Sequence, residues 1–202
     1  IGPFPKKENS KLNTLNTYSL SKLSNEIIAK SFSKKSNTQI IGLRFFSIYG
    51  EWGRPDMLIL KYLLAAKKNK NFELFNYGNH YRDFTYIDDL ISSMRLLLDA
   101  IPLKSDHYAK SAEEIDSKSP VAPFRLVNIG NSQPELLSDV IRAIEKPLGI
   151  EAEKNFMPMQ PGDVPATWAD TSLLELLTGY RQKTNIEVGV ARFVKWYRDY
   201  YE

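Results

Sequence analysis

Two side chains four residues apart, Tyr18 and Lys22, raise the first chemical question. On a helix, positions i and i+4 share a face, so the phenol and the ammonium reach toward a common point. An ammonium beside a phenol favours the phenolate, which can take a proton from an alcohol. With 11 Tyr in the chain, one such pair arises by chance, and an exposed helical pair is an equal reading. Arg54 lies in a loop with Gly50, Gly53 and Pro55, just after a run of β-branched and aromatic residues. Ligands of open α/β sheets bind at such strand ends, and a guanidinium there can hold a carboxylate through two parallel hydrogen bonds. The alternative is a structural surface arginine. Arg82 suits phosphate oxygens, or else a salt bridge to Asp83, Asp88 or Asp89. Asp88 and Asp89, adjacent at a helix start, suit the helix dipole better than acid and base roles. His80 and His107 read as isolated surface imidazoles; with no Cys in the chain, no metal is expected.

The elements that must position these groups follow from periodicity. Leu15, Tyr18, Leu20, Leu23, Ile27, Ile28 and Phe32 predict an amphipathic helix over 12–35, capped by Asn13, Thr14 or Asn16. Residues 38–49 predict a central strand of a parallel sheet, covered on both faces. Helices are expected over 57–68, 86–100, 136–149 (ended by Gly149) and 191–201, and strands over 72–77 and 125–129. The polar stretch 101–124 reads as a surface excursion.

The chain has 202 residues, 43% of them hydrophobic and 25% charged, and a formal charge of +3. This is enough to bury a core and too little, too scattered, for a nucleic-acid footprint. Lys67, Lys68 and Lys70 read as a solvated helix end. No apolar run approaches the roughly 18 residues of a spanning helix, so no membrane partner is expected. The absence of Cys fits a reducing cytoplasm.

Residues 43–57, from Leu43-Arg44-Phe45 through Gly53-Arg54-Pro55-Asp56-Met57, resemble the matching stretch of UDP-glucuronate 4-epimerases and related nucleotide-sugar epimerases and dehydratases. Tyr18-Ser19-Leu20-Ser21-Lys22 is similar to their Tyr-x-x-x-Lys motif. Three further blocks agree in order: 81–89, Val127-Asn128-Ile129-Gly130-Asn131, and 157–164 with Gln160-Pro161-Gly162-Asp163. The resemblance implies an α/β fold, the C-terminal part of an extended short-chain dehydrogenase Rossmann fold. Residues 1–50 would be the remainder of the NAD-binding domain with its catalytic helix. Residues 51–202 would be mainly a small α/β region that binds the nucleotide sugar, with some segments returning to the Rossmann sheet.

It further implies NAD as cofactor and a UDP-sugar as substrate, epimerised at C4 through a 4-keto intermediate. Tyr18 would be the general base, and Lys22 would hold the nicotinamide ribose. Arg54, helped by Ser47, would grip the sugar carboxylate, and Arg82 would contact the diphosphate. Phe75 would pack on uracil, unless it is plain core, and Asp163 would accept from the uridine ribose. Gln160 stands where some sister enzymes carry an Arg near the phosphates. A homodimer packed through the Tyr18 helix is implied too, and Leu20 and Ile27 would suit burial there. Trp52 and Trp168 fall beside site blocks, whereas Trp196 reads as core. A glycine-rich strand-turn-helix is not found among the 10 Gly. The chain alone is therefore expected neither to bind NAD tightly nor to turn over. Alternatives are an inactive remnant or binding module, and a dehydratase or decarboxylase of the same family.

Overall fold

A computed structural model describes residues 4–10, 16–102 and 116–202. The first helix, α1 (Thr17–Ser36), opens on Asn16, whose side chain accepts from the Ser19 backbone N–H at 2.8 Å while Ser19 Oγ accepts from the Asn16 N–H. This reciprocal cap satisfies two of the helix's orphan donors. Asn37, left-handed at φ 58°, ends the helix and turns the chain into β1 (Ile40–Phe45). The candidate caps Asn13 and Thr14, and the expected start at 12, lie outside the described residues.

β1 runs parallel to β6 (Phe124–Ile129), with Ile40 opposite Phe124 and Phe45 opposite Ile129. The expectation of a strand from 38 to 49, covered on both faces, is corrected here. The ladder breaks at Phe46 and Ser47, and β2 (Ile48–Tyr49) pairs instead with β5 (Thr85–Tyr86). Among the described residues β1 pairs with β6 alone, and its side chains are half-buried or exposed. α1 does not cover it fully: its sole buried residue is Ser33, while Leu20, Ile27, Ile28 and Phe32 face outward. On the other face Ile41 and Leu43 pack toward Leu90 and Leu97 of α3 (Ile87–Leu97) and Leu173 and Leu174 of α5 (Ser172–Thr178).

A second, larger core lies under α2 (Leu58–Lys67), α4 (Leu137–Leu148) and α6 (Ile186–Tyr201), where Tyr62, Leu63, Val140, Ile144, Val190 and Phe193 are fully buried. β3 (Phe72–Phe75) joins it, paired parallel to β8 (Lys154–Met157). Around the site, β4 (Tyr81–Asp83) lies between β7 (Pro134–Leu136, antiparallel) and β9 (Ala166–Thr167, parallel). The strand expected over 72–77 stops at Phe75, because Asn76 and Tyr77 take left-handed φ values of 50° and 54° in a 3-10 turn. α6 begins five residues before the expected 191, where Asn185 accepts from the Val188 N–H. Residues 103–115 of the surface excursion, including His107, lie outside the described residues. Lys67 pairs with Glu202 at the end of α2. Among the described residues no helix is long and apolar enough to cross a membrane.

Candidate functional site

Two cavities open where β1 ends. Tyr18 and Lys22 line the first, of about 650 Å³, together with Glu26, Gly42, Arg44 and Phe45. Because α1 leads directly into β1 and runs back against it, the helix start lies at the strand's C-terminal end, the ligand-binding end of open α/β sheets. Tyr18 is 70% exposed, and Lys22 Nζ stands 5.3 Å from its ring centroid. Lys22 has no ion pair among the described residues. The pair expected from spacing thus shares one helix face beside a cavity able to take a ribose.

The second cavity, of about 190 Å³, brings together Ser47, Arg54 and Arg82, with Gly50, Phe84 and Leu137 among its other walls. Tyr18 and Lys22 are not on it. The two cavities meet the chain almost at the same place, Phe45 lining the first and Ser47 the second.

Arg54 is largely solvent-facing and closes on a carboxylate of its own loop. Its Nε donates to Asp56 Oδ1 at 3.0 Å and its Nη2 to Oδ2 at 2.5 Å. The guanidinium holds the Asp56 carboxyl below its ordinary range. Arg82 is paired as well, but with none of the three acids expected from sequence. Its partner is Asp163, at 3.0 Å, across the turn that precedes β9. Burial, the main influence, lowers the Arg82 pKa, against the pull of Asp163. The structure therefore unites Arg82 and Asp163, two residues 81 positions apart in the chain.

His80 corrects an expectation. It is 2% exposed, not an isolated surface imidazole, and its Nε2 lies 3.1 Å from Asp163 Oδ2 without the alignment of a hydrogen bond. Burial foremost, then the nearby Arg82 cation, lowers its pKa. No periodicity signal marks it, since β4 and its flanks are too short for one. Gln160 is exposed, and its carbonyl accepts from the Asp163 N–H. Phe75 ends β3 half-buried, one strand from Met157.

Asp83, fully buried, holds the loops together. It accepts from the backbone N–H groups of Asn131 (2.6 Å), Ser132 (3.1 Å) and Ala169 (3.0 Å). Burial raises its pKa, and those three donors oppose the shift. Asp88 and Asp89 do sit in the first turn of α3, as the dipole reading requires. Asp89 additionally accepts from the Tyr180 hydroxyl and the Thr184 N–H. Trp52 lies apart from both cavities described above, edge-on to Trp196 at 5.2 Å, and Trp168 stacks on Phe4 at 4.5 Å. Trp196 is half-buried against the larger core, as expected. Among the described residues no group of three or more His, Cys, Asp or Glu could hold a metal.

The model of the NAD dependent epimerase/dehydratase family matches residues 2–108. The chain belongs to that family. Its fold agrees with those of solved family members: the Bacillus cereus UDP-glucuronic acid 4-epimerase, crystallised with UDP-glucuronic acid and NAD, superposes with a TM-score of 0.81 at 28% identity, covering 99% of this chain and 58% of that one. A probable UDP-glucuronate 4-epimerase of Rhizobium meliloti is 40% identical over 184 residues, 91% of this chain and 54% of that protein. UDP-glucuronate 4-epimerase 4 of Arabidopsis thaliana is 36% identical, over 98% of this chain and 45% of the plant protein. The chain spans about half the length of the curated relatives it matches. The α/β fold with parallel strand pairs is thus that of the extended short-chain dehydrogenases.

Proposed function

We propose that this chain supplies the catalytic helix and the substrate-binding region of an NAD-dependent 4-epimerase that interconverts UDP-glucuronate and UDP-galacturonate. The observation that carries the reading is the two-point grip of Arg54 on the Asp56 carboxylate, beside Ser47 and Arg82. A uronate carboxylate has the same charge and the same pair of oxygens, so it can take the place of Asp56 in that fork. With the sugar acid held there, Ser47 offers a hydroxyl from the same wall. Arg82 and Asp163 offer a cation for the diphosphate and an acceptor for the ribose. Phe75 then serves the uracil ring, and Gln160 borders the phosphates.

Tyr18 acts as general base on the sugar 4-hydroxyl, and Lys22, one turn along α1, holds the nicotinamide ribose and favours the phenolate. The ammonium, without an ion pair among the described residues, stands on a cavity with room for a ribose, which fits that cofactor. NAD, when bound there, would supply the reversible hydride acceptor that inversion at C4 through a 4-keto sugar requires. The full activity belongs to a polypeptide longer than these 202 residues, acting in the cytoplasm as a homodimer. Taken by itself, the chain binds NAD weakly and does not turn over.

The test is a substrate comparison with the NAD-loaded full-length enzyme. UDP-glucuronate is the preferred substrate over UDP-glucose. Arg54→Ala lowers kcat/KM on the uronate on the order of 100-fold and much less on the neutral sugar, Asp56→Asn lowers KM for the uronate, and Tyr18→Phe removes turnover on both. Equal losses on the two sugars after Arg54→Ala would sink the carboxylate assignment.

A further inference from the structure

Between the catalytic pair and the sheet lies an ion pair with no role in the reaction described above. Arg44, on β1, donates from Nε to Glu26 Oε1 and from Nη2 to Glu26 Oε2, both at 2.7 Å. Its third nitrogen donates to the Glu8 carbonyl at 2.9 Å, and both partners are about four-fifths shielded from solvent. Arg44 and Glu26 line the same cavity as Tyr18 and Lys22.

The register along α1 makes this pairing consequential. Tyr18, Lys22 and Glu26 stand at i, i+4 and i+8, one above another on a single helix face. Of the side chains three or four positions from Lys22, namely Tyr18, Ser19, Asn25 and Glu26, only Glu26 is an acid. A free carboxylate at that position is the natural partner of Lys22, since Lys and Glu four apart attract on a helix. Instead both Glu26 oxygens are engaged by the planar fork of Arg44, a geometry that a lysine cannot match. Lys22 Nζ faces the Tyr18 ring.

We propose that Arg44 is a positioning residue of the Tyr18 and Lys22 site: by sequestering the Glu26 carboxylate it keeps the only acid on that stretch of the helix face from neutralising the Lys22 ammonium. The inference rests on the catalytic reading of Tyr18 and Lys22, and it predicts a pattern that a mere strut would not give. Removing Arg44 harms the site because it releases Glu26, so removing Glu26 as well repairs it.

Trace labelling of the 202-residue chain with acetic anhydride, quantified at Lys22 by mass spectrometry, reads the ammonium without any turnover. Arg44→Gln slows labelling of Lys22 about two-fold, the effect of one exposed i,i+4 ion pair. The double variant Arg44→Gln, Glu26→Gln returns it to the wild-type rate, and Glu26→Gln alone leaves it there. A rise in Lys22 labelling with Glu26→Gln alone would mean that Glu26 already pairs with Lys22, and would overturn the proposal even if Arg44→Gln does not fold. So would a double variant as slow as Arg44→Gln. In the full-length enzyme kcat follows the same order, with KM for the UDP-sugar little changed. Labelling that follows the pattern while kcat does not counts against the catalytic reading and leaves the sequestration of Glu26 standing.

Discussion

At the scale of single residues, the charged groups of the site are held in reserve by one another. Arg54 holds Asp56, Arg82 holds Asp163, and a buried imidazole backs the second pair. His80 has a measurable consequence. Its folded pKa lies below the ordinary imidazole value, because burial penalises the cation and Arg82 repels it, with Asp163 and the Phe75 backbone only partly offsetting. The folded state thus binds fewer protons than the unfolded chain, so the contribution is fully present above the ordinary value and is lost as pH falls toward the folded one. Buried Asp83 and Glu8 and half-buried Glu135 have the opposite sign, since desolvation raises their pKa values. Comparing wild type with His80→Gln isolates the imidazole from them. Between about pH 7.5 and about pH 5, the variant loses less stability than the wild type, read as the shift in urea midpoint. Parallel pH dependences would show that His80 does not sense its buried setting.

Among the elements, the short strands around β4 depend on a clamp and not on their own propensity. β4, β7 and β9 contribute three, three and two residues, too few to define a sheet alone. Asp83 joins them by accepting three backbone donors from the segment after β6 and from Ala169 after β9. Gly130 allows the approach, because a Cβ there would stand 2.6 Å from Asp83 Oδ2 and 2.7 Å from the Ala169 Cβ. Asp83→Ala removes the acceptor of three backbone N–H groups, that of Ala169 buried, and is expected to cost about 2 kcal/mol or more; Gly130→Ala, by crowding, costs about 1–3 kcal/mol. Thermal unfolding with tryptophan fluorescence checks both, and a Gly130→Ala protein as stable as wild type would remove the close-approach argument. The same contrast explains what was legible in sequence. Long periodic segments such as α2 and α4 were placed to within a residue or two, and α1 at its C-terminal end, because helix periodicity accumulates over several turns. That Tyr18 and Lys22 share one helix face was legible for the same reason. β4, β7, β8, β9 and α5 were not, since two to seven residues carry too little pattern, and their partners lie far along the chain. The Arg82–Asp163 pair, the burial of His80 and the division of the site between two cavities are tertiary facts that no local spacing encodes.

For the molecule as a whole, the unusual feature is how much apolar surface α1 leaves in water. Leu20, Ile27, Ile28 and Phe32 are each more than half exposed, while the larger core under α2, α4 and α6 is closed. Patches of this kind on soluble proteins mark interaction surfaces or association liabilities. Among the described residues one side of β1 pairs with no strand, which adds backbone groups near the same helix. Both features belong to the half of the molecule that carries Tyr18, so the exposed patch and the proposed general base share one element. The 202-residue chain is therefore expected to self-associate at micromolar concentration through α1. Ile27→Lys combined with Ile28→Lys places two charges in the centre of the patch, and by sedimentation velocity it shifts the protein toward monomer without lowering its helical content. If the lysine variant sediments as the wild type does, the apolar face of α1 is not what holds the copies together, and the exposed side of β1 becomes the surface to test.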